Sequence, residues 1–320
     1  MKRLVLSALL LSSSFAVAGG AAQPVTASTL RLSAPVGTAV NHQTTTKTRV
    51  QLGDVTVTAR PGAEVDQETL DLTRDAIQQG FSQNMQNMTQ TVTGQTTYRV
   101  TGRDAAGNVT LSTRVTQSSG AAGDITINLT ERVAPGGQRQ VTGVKVDSAD
   151  PQVREILSKF TPEQLNALNG QQGGSANLYG MPLVQGKSRT VTNSADVQGF
   201  LGGLLGSLPG AASVDLKSSP LKVTETTTYT GLNAQGLHAF ASSFSAQPWK
   251  LDFTLPGDAG NMNITLSRMS GKATMLYRRD GLLANQSTTT DMQMRLSMTM
   301  EDQVIDITMN MQQEMTLKQK

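Results

Sequence analysis

The chain contains no cysteine and only two histidines, His42 and His238, among 320 residues. The first absence excludes a disulfide framework, a thiolate metal site and a cysteine nucleophile. The second leaves too little imidazole for a histidine metal centre or a catalytic triad. Aromatic residues supply 4% of the chain and charged residues 16%, the latter well under the ~25% of an average soluble domain. The net charge of +3 is too small to hold a chain open by repulsion. Without Lys2 and Arg3 it is smaller still, and no basic stretch is interleaved with aromatics, so no electrostatic footprint for nucleic acid is present. Beyond the first residues, no run approaches the ~18 apolar residues of a spanning helix. Coiled coil and collagen are excluded by composition. No G-x-S-x-G, H-E-x-x-H, P-loop or G-x-G-x-x-G pattern occurs.

What is present begins with an address. Lys2 and Arg3 precede an apolar run from Leu4 to Val17, with Ala16-Val17-Ala18 as a cleavage site and Ala22 as a second. This reads as a signal peptide over 1–22. It predicts an exported, periplasmic or extracellular protein with no transmembrane segment in its mature form. No cysteine follows for a lipid anchor.

Most of the remainder reads as strands, because Thr and Val suit a pleated surface. A β-rich region over 23–145 contains one helix near 66–80, with Leu70, Ile77 and Phe81 on one face. The region 146–215 reads as helices and linker. Asp150-Pro151 starts a helical hairpin over 151–169, and Thr161-Pro162-Glu163-Gln164 has capping-box spacing. A Gly-weakened apolar helix follows over 196–208, with Phe200, Leu201, Leu204, Leu205 and Leu208 on one face. The region 216–320 reads as a C-terminal antiparallel sheet. Tyr98, Tyr229 and Tyr277 each close a strand before a glycine turn at Gly107, Gly236 or Gly281. That pattern fits either a duplicated unit or an ordinary meander. The fold class expected is mainly β (α+β): a large curved antiparallel sheet or half-barrel, open to division into two related halves, with a few helices covering one face.

Candidate chemistry is sparse. Ser219-Pro220-Leu221-Lys222 matches S-x-x-K but lacks its helix and partner motifs. Glu64, Asp66 and Glu68 suit the first turn of a helix. Asp147 to Asp150 lacks calcium-loop spacing. No catalytic residue, metal or cofactor is assigned.

Methionine is the informative residue: seven of 14 fall between Met292 and Met315. Met292, Met294, Leu296, Met298 and Met300 alternate, as do Ile305, Ile307, Met309 and Met311. In strands these share one face. The face is either an ordinary core, a contact surface for an apolar ligand, to which Met moulds well, or a soft-metal thioether site. The ligand reading combines these nine residues with Phe200, Leu201, Leu204 and Leu205 opposite them.

The segment Met181-Pro182-Leu183-Val184-Gln185-Gly186, set before a Tyr-ended strand and an antiparallel run, resembles exported β-rich bacterial proteins of unknown function. The strands from Gly271 through Tyr277 and Gly281 to Met311 are similar in pattern to the sheet of LolA/LolB-type lipoprotein carriers and related mycobacterial lipoglycan carriers. That resemblance implies a half-barrel with helical cover, and a role in holding or shuttling an acyl-chain ligand. The expectation is a non-enzymatic protein that binds an apolar, lipid-like ligand. The alternative is a structural or interaction protein of the cell envelope with a protein partner and no small-molecule ligand.

Overall fold

The computed structural model describes residues 28–85, 88–118, 124–168, 178–205, 215–254, 260–300 and 302–320. The signal segment 1–22, with both cleavage sites, lies outside the described residues. So does the end of the Gly-rich helix, 206–208.

The described chain is mainly β, in one large, open, curved antiparallel sheet with few helices. A long strand β1 (Ala39–Ala59) leads to helix α1 (Gln67–Met85). Four strands follow as a meander: β2 (Met88–Arg103), β3 (Val109–Ser118), β4 (Asp124–Val133) and β5 (Arg139–Ser148). Two short helices come next, α2 (Pro151–Leu157) and α3 (Pro162–Leu168). The capping box forms as spaced: Thr161 N donates to Gln164 Oε1 at 3.0 Å, and Gln164 N to Thr161 Oγ1 at 3.3 Å. Strand β6 (Ser188–Ala195) falls within the stretch read from sequence as helices and linker. Helix α4 (Val197–Leu205) and strands β7 (Asp215–Ser218), β8 (Leu221–Leu232), β9 (His238–Ala246) and β10 (Trp249–Thr254) follow. The last three strands are long: β11 (Asn261–Tyr277), β12 (Leu283–Met300) and β13 (Gln303–Gln319). Their order across the sheet is β5-β4-β3-β2-β1-β13-β12-β11-β9-β8-β6, with β10 and β7 branching from β11.

This order is one five-strand unit written twice. β1 to β5 recur as β6, β8, β9, β11 and β12, and β13 sits between the copies. Register supports the correspondence. Tyr98 pairs with Thr113 as Thr227 pairs with Ser242, and His42 with Thr96 as Val191 with Glu225. Bulges fall at Val100/Gly102 and at Tyr229/Gly231. The turns that follow, Asp104 to Asn108 and Asn233 to Leu237, close with the same backbone bonds. Glycines at positive φ, Gly107 at 81° and Gly236 at 72°, complete both. Even the lead-in agrees. Gly37 N donates to Val100 O and Val100 N to Thr38 O; Gly186 N donates to Tyr229 O and Tyr229 N to Lys187 O. The tyrosine frame of the sequence therefore shifts by two residues, with Val100 and not Tyr98 as the counterpart of Tyr229.

The inner face has three zones. At the turn end, the lead-in segments supply Leu30, Leu32, Ala34, Tyr179 and Met181 to a core with Val100, Leu111, Phe240, Met275 and Tyr277. At the opposite end lie two apolar clusters rich in Met. Between them runs a belt of buried polar residues, among them His42, Thr44, Thr96, Thr113, Glu225, Thr227, Ser242, Gln286, Thr290 and Gln313. The outer face is hydroxyl-rich; Ser188–Thr228, Thr190–Thr226 and Thr192–Thr224 pair across strands at 2.8–2.9 Å.

Candidate functional site

Pairing places the sulfur-bearing residues side by side. Met292 pairs with Met311, Met294 with Met309, Leu296 with Ile307 and Met298 with Ile305. On the other side of β12, Met269 pairs with Met292, Leu266 with Met294 and Met262 with Met298. The alternation that puts them on one face is the pleat itself.

Two clusters divide this face. Val55, Ile305 and Ile307 are buried, and Leu296, Met298, Met309, Ile77 and Phe81 pack against them. Those two side chains come from α1, whose apolar stripe closes this part. In the second cluster Val223, Leu266, Met269 and Met292 are buried, edged by half-buried Met294, Met311, Phe244 and Trp249. Met300, at the end of β12, is 53% exposed.

The Gly-rich helix stands elsewhere. α4 packs chiefly against α3 and β7. It is tied there by Gln198 Oε1, which accepts from Ser218 N at 3.0 Å. Asp196 Oδ1 accepts from Gly199 N at 2.8 Å and caps its start. Leu201 is half-buried; the side chains of Phe200, Leu204 and Leu205 lie outside the described ones. The structure thus divides eight of the nine β12 and β13 residues between two clusters, with Met300 outside both, and brings α1 onto the Ile305 and Ile307 cluster, while α4 packs chiefly against α3 and β7.

Sequence patterning missed the belt. In its second-unit half, Ser242 Oγ donates to Glu225 Oε1. Thr227 Oγ1 lies 3.0 Å from Ser242 Oγ and 3.2 Å from the same carboxylate oxygen. Burial pushes the Glu225 carboxyl above its ordinary value, although Ser242, Thr227 and the Arg189 charge pull the other way. In the first-unit half, Thr44 and Thr96 hydroxyls meet at 2.9 Å. His42, fully buried, places Nε2 3.0 Å from Leu283 O and its ring edge-on to Tyr98. Burial lowers its pKa, against backbone hydrogen bonds that favour the charged form. Only the composition of runs such as Thr224 to Thr228, with a single Glu among threonines, could have pointed here.

Beside the belt, Arg139 Nη2 meets Glu131 Oε2 at 2.5 Å with both side chains largely buried. Burial opposes the Arg139 charge, yet the charge and hydrogen bond of Glu131, with Tyr179 and Tyr98, together raise its pKa. Tyr98, desolvated nearby, is pushed up to about 12. His238 Nδ1 lies 3.0 Å from the Tyr229 hydroxyl, an aromatic-cluster contact. Ser219 and Lys222 of the S-x-x-K match flank the start of β8, where Ser219 O accepts from Trp249 Nε1. Among the described residues no group of three or more His, Asp or Glu could hold a metal ion, and no helix is long and apolar enough to cross a membrane.

Comparison with protein-family models, with characterised proteins and with solved structures finds no match.

Proposed function

We propose that this is an exported, non-enzymatic binding protein that holds an acyl-chain or other lipid-like ligand against the Met-bearing inner face of β11, β12 and β13. One observation carries the reading. The cluster around Met269, Met292, Met294 and Met311 gathers apolar side chains on one face of the curved sheet, with Met294, Met311, Phe244 and Trp249 only half-buried at its edge, while the helices pack chiefly against β1, β5 and β7. Burial of the chain supplies the affinity, at roughly 25 cal/mol per Å2 of apolar surface. Flexible, polarizable thioethers fit chains of differing shape. The leader-like N-terminus supports export.

Native mass spectrometry of protein purified from its source, with solvent extraction, tests this directly. The expected result is a bound amphiphile, and uptake of a fluorescent fatty acid that Met294→Gln with Met309→Gln abolishes. A clean unliganded mass together with no uptake overturns it. A second reading, a structural or interaction protein of the envelope, is favoured by α1, which closes part of the same face with Ile77 and Phe81. Crosslinking in cells to one fixed macromolecular partner would favour that reading.

A further inference from the structure

The two units differ in how their first strands are closed. β1 is paired on both sides, with β2 and with β13. Its counterpart β6 ends the sheet: among the described residues it pairs with β8 alone and packs chiefly against that strand. At the other end of the sheet, β5 is guarded by Asn166, which takes up the N–H and C=O of Val141. β6, by contrast, holds no proline and no lysine, and its register against β8 runs from Ser188 to Ala195 without a bulge. Proline, lysine and bulges are the usual means by which an edge strand avoids pairing. An inward charge is another, but that of Arg189 is met within the chain by Glu225.

The far side of β6 has a defined pattern. Tyr229 N donates to Lys187 O, and pairing alternates from there. Arg189, Val191 and Asn193 therefore turn their backbone groups toward β8, and Ser188, Thr190, Thr192 and Ser194 turn theirs away. The strand reads nearly the same in both directions about Val191: Ser188 matches Ser194, and Thr190 matches Thr192. An antiparallel strand of the same sequence, related by a two-fold axis at Val191, therefore meets a compatible neighbour at each of these positions. Thr190 stands opposite Thr192 of the second copy and Ser188 opposite Ser194. Those hydroxyls continue the outer ladder that β6 already makes with Thr224, Thr226 and Thr228. On the inner side Val191 meets Val191, and Arg189 meets Asn193, whose side-chain oxygen can accept from a guanidinium. The one charge on the strand thus avoids its own image, which would repel it.

We propose that β6 is a self-association edge, at which two copies of the chain join their sheets antiparallel about Val191. The interface is isologous. Strand addition supplies main-chain bonds, while the threonine and valine positions fix the register. The seat is the one that β13 fills on β1 within the chain; on β6 a second copy fills it. The inference does not use the ligand reading and is decided separately from it.

The test uses the full chain, whose lack of cysteine makes a single introduced thiol specific. Sedimentation of the unmodified protein should show a monomer–dimer equilibrium. At the two-fold axis the Val191 Cα atoms form a non-hydrogen-bonded pair about 4.5 Å apart, within the reach of a disulfide. Val191→Cys should therefore oxidise to a covalent dimer, whereas Ser287→Cys, exposed on the outer face of β12, should not. Thr192→Pro removes an N–H from the edge and should raise the dimer dissociation constant at least about tenfold. Val191→Lys leaves the backbone intact, sets like charges face to face and should do the same. Thermal melts establish that each variant is folded. A protein that stays monomeric at every concentration overturns the inference, as does a dimer that Val191→Cys fails to link or that survives in every folded variant. Crosslinking of Val191→Cys in cells to a different protein, and not to itself, assigns the edge to a foreign strand and likewise overturns it.

Discussion

Val100 and Tyr229 hold one structural position in two copies of a single unit, each exchanging two backbone bonds with the turn that precedes its partner strand. Their side chains differ in bulk, and the neighbours differ with them. Tyr229 stacks near Phe240 and His238, where the first unit has Leu111 and Val109. The backbone frame is thus preserved while aliphatic packing in one copy becomes aromatic packing in the other.

The turn glycines should not be equally replaceable. Gly186 and Gly281 both have φ near 80°, so any side chain costs ~1–2 kcal/mol at either. At Gly186 an added Cβ meets open space, whereas at Gly281 it runs into the Arg31 backbone carbonyl. Gly281→Ala is expected to lower the urea midpoint clearly more than Gly186→Ala. Equal shifts would show that the Arg31 segment yields freely.

The Glu131–Arg139 pair should behave as a unit. Glu131→Gln leaves a largely buried guanidinium without its counter-charge and should cost ~3–5 kcal/mol. Glu131→Leu combined with Arg139→Met should restore most of that loss. Chemical denaturation of Glu131→Leu, Arg139→Met and the double variant measures the coupling. Additive losses would mean that the charges do not stabilise one another.

Asn166 on α3 completes the edge of β5. Its side chain accepts from Val141 N and donates to Val141 O, both at 2.9 Å, imitating a neighbouring strand. Asn166→Ala should expose that edge and promote self-association, seen as a concentration-dependent shift in sedimentation. A variant that sediments as the unmodified protein does would mean that other contacts guard the edge.

Two buried groups tilt stability in opposite directions with pH. Glu225 binds its proton more tightly folded than unfolded, so its effect on stability is most favourable below the ordinary value of 4.5 and declines as pH rises above it. His42 is held neutral when folded, so stability declines as pH falls below the ordinary 6.5. Glu225→Gln should flatten the first decline and His42→Gln the second, as read from melting temperature against pH. Unchanged profiles in both variants would show that these groups titrate alike in the two states.

Much of the sheet was legible because its clearest stretches alternate strictly. Met292 to Met300 and Ile305 to Met311 have period two, and only one face can take them inward. The Thr161 capping box was equally local and formed as spaced. The belt was not legible because threonine occupies both faces. In Thr224 to Thr228, inward and outward positions look alike, and only pairing separates buried Thr227 from Thr226 on the outer ladder. Helix α1 extends five residues past the expected end at 80, since nothing in Phe81 to Met85 breaks a helix. Its place against Ile305 and Ile307 depends on contacts remote in sequence. The duplication was blurred for a different reason. Tyrosine drew the frame toward Tyr98, while the bulge glycines Gly102 and Gly231 set the true register.

The unmatched strand β13 is a seam. It pairs with β12 through a short reversal but with β1 across more than two hundred residues, His42 opposite Gln319. Each unit can zip up its own hairpins early, whereas joining them waits on the rarest encounter along the chain. The rate-limiting act of maturation is therefore expected at that junction, and a short peptide copying Gln303 to Gln319 should compete for it and trap a half-assembled intermediate.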